Sequence, residues 1–170
     1  MTTSTEPAPA TTSKFDLVAL IPFIGWHLLL IPGFLFIDFK WEYVALVAVT
    51  YFLRMFGVTA GYHRYFSHRA FKTNRVFQFL LAFLAQTSAQ KGVLWWAAHH
   101  RHHHRHSDQE DDLHSPSRTG FWWSHVGWIM STKYEATRFE SIRDFARFPE
   151  LVWLNKHHIL PAMVGVEISS

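Results

Sequence analysis

Two long uncharged stretches constrain most strongly what this chain can fold into. Leu17 to Ile37 runs for 21 residues without a Lys, Arg, Asp or Glu, and Tyr43 to Tyr62 repeats the pattern, broken only by Arg54. About 20 apolar residues in a helix match the roughly 30 Å hydrocarbon core of a bilayer. A helical hairpin buried in a soluble core would show the same pattern. Against it, only 17% of the residues are charged, where soluble domains carry roughly 25%, and the apolar residues are blocked together rather than dispersed. The expected fold is an all-α, integral membrane protein. It has two transmembrane helices in a hairpin, then interfacial and cytoplasmic amphipathic helices, then the start of a third, truncated span.

The flanks supply the orientation. Residues 1–14 are rich in Thr, Ser, Pro and Ala and read as a disordered tail. The tail lacks the basic region of a secretory signal, so the first apolar block reads as a retained anchor. Pro22 and Pro32 lie inside it, and membrane helices tolerate proline with a local bend. The link Asp38-Phe39-Lys40-Trp41-Glu42 suits an interfacial turn. Arg64, Arg69, Lys72, Arg75, Arg101 and Arg105 follow the second block, and basic residues beside spans favour the cytoplasmic side. Arg54 either snorkels to the interface or pairs with an acidic group inside the protein. The net charge of +3 is only mildly basic, and its residues interleave with His and flank apolar spans, which argues against a nucleic-acid partner.

Beyond the second block, 76–89 is apolar but interspersed with Gln78, Gln86, Thr87 and Ser88, as expected of an amphipathic helix in the interface or under a site. Four acidic residues fall between Asp108 and Asp112, and Phe121, Trp122, Trp123 and Trp128 form an interfacial aromatic cluster. Lys133 to Arg147 reads as a charged helix, and Ile159 to Ile168 as the first half of a further span.

Thirteen histidines are present and no cysteine, which excludes thiolate metal sites and disulfides. Eight of them gather in two groups on one membrane face, His63 to His68 and His99 to His106. Neutral imidazoles ligate iron, zinc and copper. His100, His103 and His104 fit H-x-x-H-H, and positions three and four apart share a helix face. His99 and His103, or His102 and His106, have the same spacing, so periodicity alone does not select the ligands. A solvated His-rich tract that takes metal adventitiously has the same composition. His63 and His68 are five apart, about 140° on an ideal α-helix, so they meet only if the helix ends between them and the chain turns. Five clustered imidazoles exceed the four that close a zinc site, which points to two metal ions and to iron for oxygen chemistry. No Gly-rich phosphate loop, serine elbow or HExxH motif occurs.

Gly57-Val58-Thr59-Ala60-Gly61-Tyr62-His63-Arg64-Tyr65-Phe66-Ser67-His68-Arg69 resembles the first histidine box, H-x-x-x-x-H, of the membrane-bound fatty acid desaturases. Trp96 with His100-Arg101-His102-His103-His104 resembles their second box, H-x-x-H-H. Gly120-Phe121-Trp122-Trp123-Ser124-His125-Val126-Gly127-Trp128 is similar to the segment that follows it in the stearoyl-CoA (acyl-CoA delta-9) branch, in a bacterial style. The resemblance covers roughly residues 15 to 165. It implies a four-span membrane enzyme with two non-heme iron ions, a fatty acyl substrate (acyl-CoA or acyl-lipid), and an O2-dependent cis double bond as product. Electrons would come from a donor such as cytochrome b5 or ferredoxin with its reductase. By the same resemblance His63, His68, His100, His103 and His104 are iron ligands, and His125 and Trp128 belong to the substrate region.

Two departures qualify it. His99 stands where animal acyl-CoA enzymes carry Asp, so headgroup contacts do not carry over. The third box, H-N-x-H-H, is missing; Leu154-Asn155-Lys156-His157-His158 imitates it, with Leu154 in place of the first His and too early in the chain. Residues 15–170 are accordingly read as the N-terminal part of a desaturase domain. Five imidazoles leave two irons incompletely ligated, so the chain alone is expected to be a poor enzyme or none. The alternative is a non-catalytic truncated remnant or membrane metal-binding protein, with related hydroxylase or ketolase chemistry behind it.

Overall fold

The computed structural model describes residues 17–110, 112 and 115–167; the expected tail lies outside the described residues. Those residues are helical, with no β-strand among them. Helix α1 (Leu17–Phe36) leads through a short extended link to α2, a continuous helix over Trp41–Ser67. Of the described helices α2 alone is long and apolar enough to cross a membrane, and only 11% of its most apolar window is buried. Its Thr50 and Thr59 hydroxyls donate to the Leu46 and Met55 carbonyls, which satisfies them inside an otherwise apolar helix. Phe23–Phe36 of α1 is a shorter apolar stretch, and its side chains face outward, with Phe34 and Phe36 more than 80% exposed.

From Gly57 to Ser67 the winding of α2 loosens to π-helical, with hydrogen bonds five residues apart. This half of α2 packs on α3 (Arg75–Gln86). A Cβ at Gly57 would lie 2.9 Å from the Leu84 carbonyl oxygen and one at Gly61 3.1 Å from that of Leu81, so the glycines set the helix separation. Asn74 caps α3 by accepting from the Phe77 amide. Helix α3 buries Gln78, Leu81, Ala82, Ala85 and Gln86 and exposes Val76, Phe77 and Leu80, the expected amphipathic division.

Helix α4 (Val93–Arg105) follows a tight turn in which Ala89 and Lys91 take left-handed backbone conformations, φ 59° and 65°. Its first amides are capped by distant side chains. Gln86 Oε1 accepts from Val93, and Asn155 Oδ1 accepts from Leu94 and Trp95. Asn155 belongs to α7 (Pro149–Lys156), whose Leu151 and Leu154 join Tyr62, Phe66, Leu94 and Ala98 in the core. Between them lie α5 (Pro116–Thr119), a π-turn (Trp123–Gly127), two 3-10 turns and the short α6 (Arg143–Ala146). Lys133 to Arg147 is therefore not the single helix expected. Ser131 accepts from the Lys133 amide, and Ile142, wholly buried, turns inward with a non-helical backbone, φ −132° and ψ 25°.

Helix α8 (Ile159–Glu167) occupies most of the stretch expected to begin a further span. Arg54 reaches this helix. Its Nη2 donates to the Gly165 carbonyl of α8 at 2.6 Å.

Candidate metal centre

The two histidine groups meet where the end of α2 lies against α4. His63 and His68 ring centroids are 4.5 Å apart; His63 lies in the last turns of α2, which ends at Ser67, and His68 caps it. The sequence argument required the helix to end between them. It does end there, at Ser67, and the i→i+5 winding before it, seen in the His68 amide bond to the His63 carbonyl at 3.1 Å, brings residues five apart onto one side. His100 and His104, one turn apart on α4, face them, with His63–His100 centroids at 4.9 Å and His68–His104 at 4.7 Å.

The ligand nitrogens of His63, His68, His100 and His104 all fall within 4.8 Å of one another. His100 Nε2 lies 3.3 Å from His68 Nε2 and 3.0 Å from His104 Nε2. Metal–imidazole bonds of about 2.0–2.1 Å separate donor nitrogens by roughly 3–4 Å, so this all-nitrogen set fits a transition-metal ion. Burial, and then the neighbouring imidazoles His104, His63 and His68, push the His100 pKa down to about 3. Burial followed by His63, His104 and Arg101 lowers that of His68. Both rings are thereby kept neutral at physiological pH, the state a metal requires. Trp96 stacks on His100 at 4.6 Å and on buried Tyr62 at 5.1 Å, fixing the inner ring from behind.

His103 stands apart from these four, its ring centroid 6.4 Å from His100 and 5.6 Å from His104. Its Nδ1 lies 2.8 Å from Asp112 Oδ1, whose side chain is wholly buried. His125 stacks on Phe121 at 5.4 Å and shares with His103, Pro116 and Ser124 the wall of a cleft of about 300 Å³. Trp128 turns inward, stacked on Trp95 at 5.6 Å and 6.0 Å from His99.

Several residues that shape the site were not singled out as site residues in the sequence reading. His99 is 2% exposed; its Nδ1 bonds the Trp95 carbonyl, and its Nε2 has no hydrogen-bond partner among the described residues. Burial pushes its pKa down to about 4. Asp112, Asp144 and Asn155 were likewise passed over; nothing in their spacing distinguishes them from surface polar residues. His157 and His158 sit beside Asn155, at the end of α4 opposite His104, with His157 stacked on Trp153. They are thus remote from the four-imidazole cluster.

The Fatty acid desaturase family model matches residues 39–166, which takes in both histidine groups. An sn-1 stearoyl-lipid 9-desaturase of Anabaena variabilis is 32% identical over 156 residues, covering 89% of this chain and 56% of the relative. A Delta-9 desaturase-like 5 protein of Arabidopsis thaliana is 38% identical over 120 residues, 70% of this chain and 39% of its own. An acyl-CoA Delta(11) desaturase of Choristoneura rosaceana is 35% identical over 129 residues, 74% of this chain and 38% of its own. The chain thus spans roughly two fifths to just over half the length of these relatives. The matched stretch runs from the link before α2 through α8 and takes in the junction of α2 and α4, and this chain belongs to the fatty acid desaturases.

Proposed function

We propose that this chain supplies the N-terminal part of a fatty acyl desaturase, residues 15–170, acting on acyl-CoA or acyl-lipid at a membrane. The observation that carries the reading is the convergence of four imidazoles from two separate motifs within 4.8 Å. His63, His68, His100 and His104 would hold one iron, and His103 would serve a second whose remaining ligands lie in the part of the relatives this chain does not cover. Bound iron supplies the oxidation in which O2, two electrons and two protons take two hydrogens from adjacent methylenes, leaving a cis double bond and two waters. The electrons would come from a one-electron carrier such as cytochrome b5 or ferredoxin with its reductase.

The protein's own part is to position and to exclude. Trp96 and Tyr62 back His100 with stacked rings, and the hydrogen bond that His103 donates to Asp112 fixes the His103 ring. His125 and Trp128 flank this region, where an acyl chain would lie near the imidazoles. In this reading α1 and α2 form the two-span hairpin, lipid against their exposed apolar faces, and the histidines open to the cytoplasm.

The test joins residues 1–170 to the C-terminal portion of the Anabaena relative, in a host lacking its own desaturase. Iron is counted in the purified chimera and double bonds in the lipids. Two irons per chain and new cis double bonds, both lost in His100→Ala, are expected. A chimera without tightly bound iron refutes the reading, and iron without product favours a metal-binding remnant.

A further inference from the structure

The guanidinium of Arg101, between His100 and His102, is saturated by groups from three separate segments. Its Nε donates to the Ser67 carbonyl at 3.0 Å and its Nη2 to the Phe66 carbonyl at 2.6 Å. Its Nη1 donates to the Ser141 carbonyl at 3.1 Å, and Nη1 and Nη2 together grip the two Asp144 oxygens at 2.9 and 3.0 Å. Asp144 also accepts from Arg69 Nε at 2.6 Å. Phe66, Ser67 and Arg69 bracket His68 on both sides. Burial alone would raise the Asp144 pKa, but its bonds to Arg101 and Arg69 outweigh this and hold it below the usual carboxylate range.

A helix end leaves its last carbonyls without intrahelical donors. Here the last amides turn back, His68 to His63, Arg69 to Tyr65 and Ala70 to Arg64. The Phe66 and Ser67 carbonyls are taken instead by a side chain of the facing helix. Only a planar fork with five donors reaches two carbonyls and a bidentate carboxylate at once; an ammonium does not. The bonds therefore tie the exit of the first histidine group to the helix carrying the second.

We propose that Arg101, oriented by Asp144, is a positioning residue that sets the spacing of His68 from His100 and His104 and thereby the metal affinity of the site. The proposal rests on the reading of those imidazoles as metal ligands.

The test uses the whole chain in detergent, as wild type, Arg101→Gln and Arg101→Lys. Cobalt(II) is titrated by visible absorption, amide hydrogen exchange is followed over residues 64–70, and helix content by circular dichroism. At unchanged helix content, both variants are expected to bind cobalt at least about tenfold more weakly, the usual loss when a ligand's support is removed. Exchange at His68, Arg69 and Ala70 should rise. Wild-type affinity in both variants overturns the proposal. If Arg101→Gln does not fold, Asp144→Asn, which leaves the three carbonyl bonds in place, should show a smaller weakening in the same direction; no weakening overturns it. If the wild type takes up no cobalt, the metal reading fails by itself. Exchange then decides the brace: faster exchange in Arg101→Gln supports it, and equal exchange removes it.

Discussion

His103 and Asp112, nine residues apart, form a hydrogen-bonded histidine–carboxylate pair at 2.8 Å, with the carboxylate wholly buried. An ionised carboxylate only accepts, so His103 donates from Nδ1 and keeps the lone pair on Nε2. The second Asp112 oxygen accepts from the Asp108 amide, and the Asp108 carboxylate accepts from Ser115. A segment that reads as an acidic surface run is thus partly folded inward to fix one imidazole.

Asp112→Asn should weaken metal binding about tenfold or more, the usual effect of removing a carboxylate that orients a ligating His. An amide in place of the carboxylate also allows the His103 ring to flip its tautomer. Nitrogen-15 NMR of the histidines in the metal-free chain reads this directly. The wild type should show His103 with its proton on Nδ1, and the variant a mixture. An unchanged tautomer with unchanged metal affinity would show the pair to be incidental.

Asn155 should matter to stability out of proportion to its size. Its Oδ1 serves two amides of the first turn of α4, and its Nδ2 donates to Thr137. Asn155→Ala strands two buried donors, a loss of roughly 2–4 kcal/mol. Asn155→Asp keeps the acceptor and adds charge at a helix N-terminus, where it is favourable, so it should recover much of that. Thermal melts in detergent rank the three proteins; equal melting of Asn155→Ala and wild type would remove the cap from the account.

What the sequence disclosed and what it hid divide along physical lines. The apolar stretches, the amphipathic helix after the first histidine group and the histidines themselves were legible because composition and period are local properties. The meeting of His63 with His68 was legible only as a condition, that the helix end between them, because an ideal α-helix places them about 140° apart; it ends at Ser67, but no residue announces the π-winding before it. Arg101 hid because one arginine in a basic tract looks like any other until its acceptors, 34 to 43 residues away, are known. Asn155 hid within a partial likeness to a third histidine box, where its neighbours drew the attention. Lys133 to Arg147 misled in the other direction, its charged composition suggesting a helix that the buried Ile142 breaks.

Gly57 and Gly61 should tolerate no side chain. Both face α3 across less than the ordinary contact distance, and the obstructing atoms are mostly backbone, which cannot step aside. Gly57→Ala should part α2 from α3 and shift the π-wound segment that carries His63. Overpacking of this kind costs about 1–3 kcal/mol. The discriminating comparison is Gly25→Ala, where a Cβ meets nothing within 4 Å. Melting should fall for Gly57→Ala alone, and cobalt binding with it; equal behaviour of the two would mean that the close helix approach is not required.

The metal-free chain should lose stability in mild acid, and His99 is the residue to probe for it. Its pKa is pushed from the ordinary 6.5 to about 4, first by burial, with Arg138, His102 and Lys91 adding in the same direction. The unfolded chain therefore binds a proton between those values that the folded chain refuses, so stability rises with pH across that window. It is complete above about pH 6.5 and is lost as the pH falls toward 4. His100, pushed down to about 3, acts in the same sense until metal binds. His99→Phe keeps an aromatic ring against Trp95 and Trp128 but removes the proton site. Its melting temperature should fall less steeply than the wild type's between pH 6.5 and 4. An identical slope would assign the acid sensitivity to His100 and the other imidazoles instead.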